Sequence, residues 1–227
     1  MEGCVNYVVT HRPYPIEQDE MYRKLCVGGY SDDISASELD GKNIAEYNDR
    51  LNELTGLYWI WKNTKSGIIG MSHYRRFFDN GGRLDMASAK RILTEDGYDI
   101  ILSDLLTLGW TLKQNIQMVM GKQLFYDAYG EIARAIARNQ PEYEDDFYDV
   151  MAGRQMYHKN MFMTRREILN RYCEWLFSFL IEATGRVDVS GKSGYEKRVC
   201  GYFGETMWTV WLRKQNLKVY EMPIMRR

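Results

Sequence analysis

Two short β-rich runs, residues 4–9 (CVNYVV) and 68–71 (IIGM), bracket a stretch of helical period, and this order constrains the fold most. Between them Ile44, Tyr47, Leu51, Leu54, Tyr58 and Trp61 recur at three- and four-residue steps, the apolar face of one helix over about 43–62. Short strands alternating with helices pack as a mainly parallel sheet covered on both faces. The alternation continues. A helix from the Asp85 cap to just before Gly97 leads into a strand at 98–102. Thr111 with Gln114, Thr164 with Glu167 and Ser193 with Glu196 are capping-box pairs announcing helices near 112–120, 165–183 and 195–214. Residues 123–138 are helical in pattern, and Pro141 opens a further helix. Residues 156–163 (MYHKNMFM) and 217–220 read as strands. The expectation is a single α/β domain over residues 1–227, its sheet flanked by helices, with a helical insertion at about 105–153.

The charge balance, 30 Lys plus Arg against 31 Asp plus Glu, excludes a duplex-binding protein that works by wholesale phosphate neutralisation. No apolar run approaches the roughly 20 residues that span a bilayer, and the start lacks a signal-peptide pattern. Cys4, Cys26, Cys173 and Cys200 form no CxxC pair, so they read as buried free thiols of a reducing, cytoplasmic compartment. Basic pairs at Arg165-Arg166, Arg213-Lys214 and Arg226-Arg227 read as solvated faces, or as contacts for peripheral association with an anionic membrane.

Chemistry concentrates in residues 67–78 (GIIGMSHYRRFF). A buried strand ending in His73, Tyr74, Arg75 and Arg76 delivers cationic side chains to the carboxyl edge, where open α/β sheets bind ligands. On an extended chain His73 and Arg75 share one face and Arg76 takes the other. A guanidinium fork matches phosphate oxygens, so the pair suits a diphosphate; the ordinary alternative is a surface arginine pair in salt bridges. The first strand leads directly into Thr10 and His11, candidates for nucleotide contact; His11 is otherwise a plain turn residue. Asn48, Asn52, Thr55 and Trp59 form a stripe beside the apolar helix face, fit for a sugar or base or else the shoulder of the core. Glu53 and Lys62 on that helix read as solvent-facing. Glu205 interrupts an apolar run and is a candidate general base or sugar ligand, or a partner for Arg198. Asn160 would orient a sugar hydroxyl or satisfy a strand edge. GxSxG, P-loop and GxGxxG motifs are absent, as is a DxD after a buried strand, and His11, His73 and His158 lack the carboxylate or Cys spacing of a zinc site.

Five segments in order carry a more specific resemblance: YVVTHRPY (7–14), DGKNIAEYNDRLNELTGLYWIWKN (40–63), GMSHYRRFF (70–78), MYHKNMFMTRREILNRYCEWLF (156–177) and GYEKRVCGYFGETMWTVWL (194–212). Together the chain resembles the bacterial capsular polysaccharide synthesis glycosyltransferase family, formerly a domain of unknown function. The resemblance implies a GT-A-like nucleotide-sugar-binding fold. It also implies transfer of a hexose, galactose being the guess, from a UDP-sugar to a growing glycan or lipid-linked saccharide. His73 and Arg75 stand where better-known GT-A enzymes carry the metal-binding DxD, so the expectation is cationic replacement of the metal, with no cofactor. Asn160 would then face the acceptor side, with Glu205 near the sugar. The alternative is a non-catalytic nucleotide-sugar-binding module. The chain departs from the family pattern at Glu205-Thr206-Met207-Trp208-Thr209 and after Leu102.

Overall fold

The computed structural model describes residues 3–226; Met1, Glu2 and Arg227, the last half of a basic pair, lie outside them. Its first strand, β1 (Cys4–Thr10), is buried along its whole length, as an apolar strand must be when helices cover both faces of a sheet. It pairs in parallel with β2 (Tyr22–Cys26), which is extended by β3 (Ala36–Ser37), and on its other side with β4 (Ile68–His73). Register sets Val9 beside His73 and Thr10 beside Cys26, so three strands end at one edge. The chain turns at Tyr74-Arg75 into the short antiparallel β5 (Arg76–Phe78). Further on, β6 (Ile100–Ser103) joins the sheet, while β7 (Leu106–Thr107) and β8 (Gln155–Met156) pair with each other apart from it. The sheet is completed by β9 (Phe162–Arg165) and β10 (Val219–Met222), and β11 (Ile224–Arg226) pairs with β5. The order is β3-β2-β1-β4-β9-β6-β10. Along that order all pairings are parallel except those of β9, which runs against both neighbours. The expected mainly parallel α/β sheet is the one observed.

Helices α1 (Asn48–Leu51) and α2 (Leu54–Asn63) connect β3 to β4, and α3 (Met86–Lys90) lies between β5 and β6. The Asp85 carboxylate caps α3 by accepting from Ser88 N at 2.9 Å. Between β6 and β9 lie α4 (Leu112–Met120), α5 (Lys122–Asn139) and α6 (Glu144–Ala152). They share one core with the long α7 (Arg166–Arg186), α8 (Val199–Gly204) and α9 (Met207–Leu212) on one face of the sheet. At its centre the Tyr172 and Trp208 rings stack at 3.4 Å between centroids. The other face carries a smaller core of Tyr22, Phe77, Phe78, Leu84 and Met163. Among the described residues no helix is long and apolar enough to cross a membrane.

Four expectations from periodicity fail, each for a visible reason. The helix over 43–62 is broken at Asn52, which holds φ +52°. Its carbonyl accepts from Asn48 Nδ2 and Thr55 N, so local groups outcompete the helical ladder. His73 and Arg75 do not share an extended face, because the chain reverses there and His73 pairs with Arg76. Residues 156–163 are not one strand: Lys159 (φ +71°) and Asn160 (φ +51°) make a left-handed turn between β8 and β9. The helix over 195–214 is a 3-10 turn at Glu196–Arg198 followed by α8 and α9, with Glu205 and Thr206 at the break between them. Strand β2 escaped the sequence pattern because Arg23 and Lys24 interrupt it; Lys24 is buried by its pairing with Asp32 at 2.5 Å. The capping boxes at Thr111–Gln114 and Ser193–Glu196 form. The pair Thr164–Glu167 does not, because the Thr164 hydroxyl donates to Asp99 O and Glu167 pairs with Arg165.

At Gly70 the strands β4 and β9 approach closely: a Cβ there would lie 2.8 Å from the Phe162 carbonyl oxygen. Gly70→Ala should therefore cost about 2 kcal/mol, the range of core overpacking. Urea unfolding measures this, and an unshifted midpoint would contradict the close approach.

Candidate functional site

A cleft of about 500 Å³ opens at the carboxyl ends of β1, β2 and β4. Its floor after β2 is Gly28, with φ at +67°. A Cβ at that position would stand 2.8 Å from Asn48 Oδ1, so neither the backbone nor the space admits a side chain. The buried Glu38 carboxylate fixes this loop, accepting from Gly28 N at 2.5 Å and from the Thr55 hydroxyl. Burial raises its pKa. Arg75, Arg76 and Arg198 line the cleft, and Arg12 and Arg75 both lie over the Tyr74 ring, 5.1 and 4.9 Å from its centroid. None of these four guanidinium groups forms an ion pair among the described residues. The consequence appears on His11, whose pKa is lowered by burial and then by Arg12, Arg198 and Arg75. Arg75, Arg76 and Arg198 share the cleft lining with Asp49, Glu53 and Glu205, but none is ion-paired to them among the described residues.

Opposite that wall the Lys159-Asn160 turn gathers three side chains. His73 Nε2 donates to the Lys159 carbonyl at 2.5 Å. Because a carbonyl only accepts, the proton sits on Nε2. Burial lowers the His73 pKa, so the ring is neutral at pH 7. Lys159 N donates to Glu205 Oε2 at 3.2 Å, with the Lys159 ammonium 3.8 Å from the same oxygen. Asn160 Nδ2 donates to Glu53 Oε1 at 2.8 Å. Both carboxyl groups have raised pKa values, chiefly through burial. For Glu205 the neighbouring Glu53 adds repulsion, and Lys159 offsets part of it.

The model of the family described as a domain of unknown function, DUF4422, matches residues 6–216. The chain belongs to the DUF4422 family. Among solved structures, its fold is similar to that of apo WbbM, a bifunctional glycosyltransferase, with a TM-score of 0.83 at 24% identity. That match covers 99% of this chain and 45% of WbbM, so the chain spans less than half the length of that protein. No curated protein matches the sequence.

Within this DUF4422 fold Thr10, His11, Asn52, His73, Arg75, Arg76 and Glu205 all line the cleft. The Thr10 hydroxyl donates to Arg12 O at 2.7 Å and shapes the loop after β1. Thr55 and Trp59 do not line it. Thr55 is fully buried on Glu38, and the Trp59 indole N–H donates to Asp40 O while its ring packs on Tyr7. Asn160 is also buried, beneath the cleft, and holds Glu53 rather than facing the opening. Sequence reasoning left out Glu53, Lys159 and Arg198 as site residues. Glu53 looked solvent-facing because the predicted unbroken helix turned it outward; the break at Asn52 turns it in. The interrupted segments around residues 52, 159 and 205, each placing polar groups inside an apolar pattern, were the available signal. Elsewhere Arg165 pairs with Asp99 and Glu167, and Arg213 and Lys214 with Asp146, whereas the Arg166 guanidinium bonds the Ser66 carbonyl and the Thr64 hydroxyl instead.

The position expected to carry paired aspartates holds His73 and the cationic Arg75; of the three carboxylates lining the cleft, Glu53 is held by Asn160, Glu205 by Lys159, and Asp49 lies 3.6 Å from Lys197. Among the described residues no three His, Cys, Asp or Glu side chains converge as metal ligands.

His158 stands beside the turn, its Nδ1 3.1 Å from the Ser103 hydroxyl, and burial with the Lys159 and Arg76 charges lowers its pKa to about 4. The unfolded chain takes up this proton near the ordinary 6.5, so between pH 6.5 and 4 it binds more protons than the folded one, and stability falls as pH falls. Urea titrations of wild type and His158→Gln should differ in this window, the wild type losing about 2 kcal/mol more once partial exposure is allowed for. Parallel pH profiles would contradict a buried neutral ring.

Proposed function

We propose that this chain is a glycosyltransferase moving a hexose from a UDP-sugar to a growing capsular or exopolysaccharide chain or a lipid-linked glycan, without a metal ion. The observation that carries the reading is the group of unpaired guanidinium groups of Arg75, Arg76 and Arg198 at the carboxyl edge of the sheet. Planar donors lining a cleft without being tied up in ion pairs suit a diphosphate. The fold shared with a bifunctional glycosyltransferase supports the same reading, and galactose is the hexose the family resemblance suggests.

In this reading Thr10, His11, Asn52 and the Gly28 floor receive the nucleoside end, while the arginines hold the pyrophosphate. As the bond from the sugar C1 to the diphosphate breaks, they stabilise the charge gathering on the leaving nucleotide, the task a metal performs elsewhere. Glu205 takes the proton of the acceptor hydroxyl as that oxygen bonds to C1. Its raised pKa makes it the stronger base, and the Lys159 charge offsets part of that rise. Neutral His73 holds the Lys159-Asn160 turn and so sets Glu205 in place. The reaction is assigned to the cytoplasm, at the inner membrane face where a lipid-linked acceptor is presented.

Calorimetric UDP titrations should show affinity about tenfold weaker in Arg75→Ala and in Arg198→Ala, with stability within about 0.5 kcal/mol, as for solvent-facing sites. Unaltered affinity in both variants would overturn the phosphate assignment. UDP release from a UDP-sugar should persist in chelator, and strict dependence on added manganese would defeat the metal-free reading. Glu205→Gln should retain UDP binding yet lose turnover by about 10²-fold or more, the usual weight of a general base. Full turnover in that variant would remove Glu205 from the chemistry, and binding without any turnover in the wild type would mark a non-catalytic module.

A further inference from the structure

A second cavity of about 210 Å³ adjoins the cleft, and Lys159, Tyr202 and Glu205 line both. Past those three residues the wall changes character. Leu106 and Leu108, on and just after β7, Met156 on β8, and Leu112, Ile116 and Val119 on α4 surround it. Two local devices create this wall. The Thr111–Gln114 capping box fixes where α4 starts, and the pairing of Leu106 with Met156 fixes the facing antiparallel strand pair. Leu112 and Ile116 are buried, while Leu106 and Val119 remain 36% and 42% exposed at the opening.

The polar groups in this wall are already committed within the protein. Asn115 Nδ2 donates to Trp110 O and Thr111 O, the Thr206 hydroxyl donates to Phe203 O, and His158 Nδ1 meets Ser103. Apart from Asn115 Oδ1 and His158 Nε2, what remains along this wall is aliphatic surface, which offers sugar hydroxyl groups little to bond and alkyl chains much to pack against. At its shared end stands the carboxylate assigned to the acceptor hydroxyl. We propose that this groove is an acceptor subsite for an alkyl aglycone, with the acceptor sugar lying across Glu205 and the chain running between α4 and the β7–β8 pair. The proposal rests on the transferase reading for the word acceptor, and on the groove's own chemistry for the alkyl chain.

Two measurements test it on the full chain. Donor-free binding of the octyl glycoside of a hexose, kept below its micelle concentration, is followed by saturation-transfer NMR, and KM is compared for octyl and methyl glycosides as acceptors. Each methylene taken from water strengthens binding by roughly fourfold, so partial insertion should place the octyl KM about tenfold or more below the methyl KM. Val119→Asp, at the exposed groove wall, should abolish both the binding and the KM difference. Met118→Asp, its neighbour on α4 but lining a different surface with Trp110, should leave both intact. Equal KM values, absent octyl binding, or equal effects of the two variants would overturn the subsite. Octyl binding that Val119→Asp alone removes, in a protein that never releases UDP, would support the alkyl groove and sink the transferase reading by itself.

Discussion

One left-handed turn, Lys159-Asn160, holds the site together, and most of what the cleft can do follows from it. Its carbonyl fixes the tautomer of His73 at the end of β4, its amide fixes Glu205 between α8 and α9, and its Asn160 side chain fixes Glu53 at the start of α2. Two consecutive non-glycine residues at positive φ are costly, so the turn survives only because the surrounding structure over-determines it. The gain is positional. Two carboxyl groups and a neutral imidazole from three separate elements are held in one place by short, directional bonds.

Charge follows the same division of labour. Some arginines outside the cleft are matched by carboxylates, as Arg165 is by Asp99 and Arg213 by Asp146. Those at the cleft stack on Tyr74 or form no ion pair among the described residues, and they share the lining with Glu53 and Glu205. The division within the site is between arginines after β4 and ahead of α8 and two buried carboxyl groups held by the Lys159-Asn160 turn. A ligand with a charged head and a neutral hydroxylated portion fits that division, and the aliphatic groove beyond Glu205 extends it by a third, apolar zone.

The regular elements were legible in the sequence because burial imposes a period on apolar residues that survives without knowledge of partners. The central strands β1 and β4, the helices α4 to α7 and the arrival of His73, Arg75 and Arg76 at the carboxyl edge all follow from that period. The failures share a cause. At Asn52, Tyr74-Arg75, Lys159-Asn160 and Glu205 the backbone leaves its regular path, and each departure lines or underlies the cleft. Local propensity argues against such breaks, so a reading based on propensity runs straight through them.

By itself, then, the sequence determined a parallel-dominated α/β sheet, its strand ends, and a cationic cluster placed where ligands bind. The tertiary structure alone decided that β9 enters antiparallel between β4 and β6, that Glu53 points inward, and that Thr55, Trp59 and Asn160 are buried rather than open to the cleft. The physical reason is range. Periodicity reports which face of an element avoids water, a local property of the chain. Which carboxylate meets which amide across 46 or 107 residues depends on how those faces pack, which no window of sequence contains.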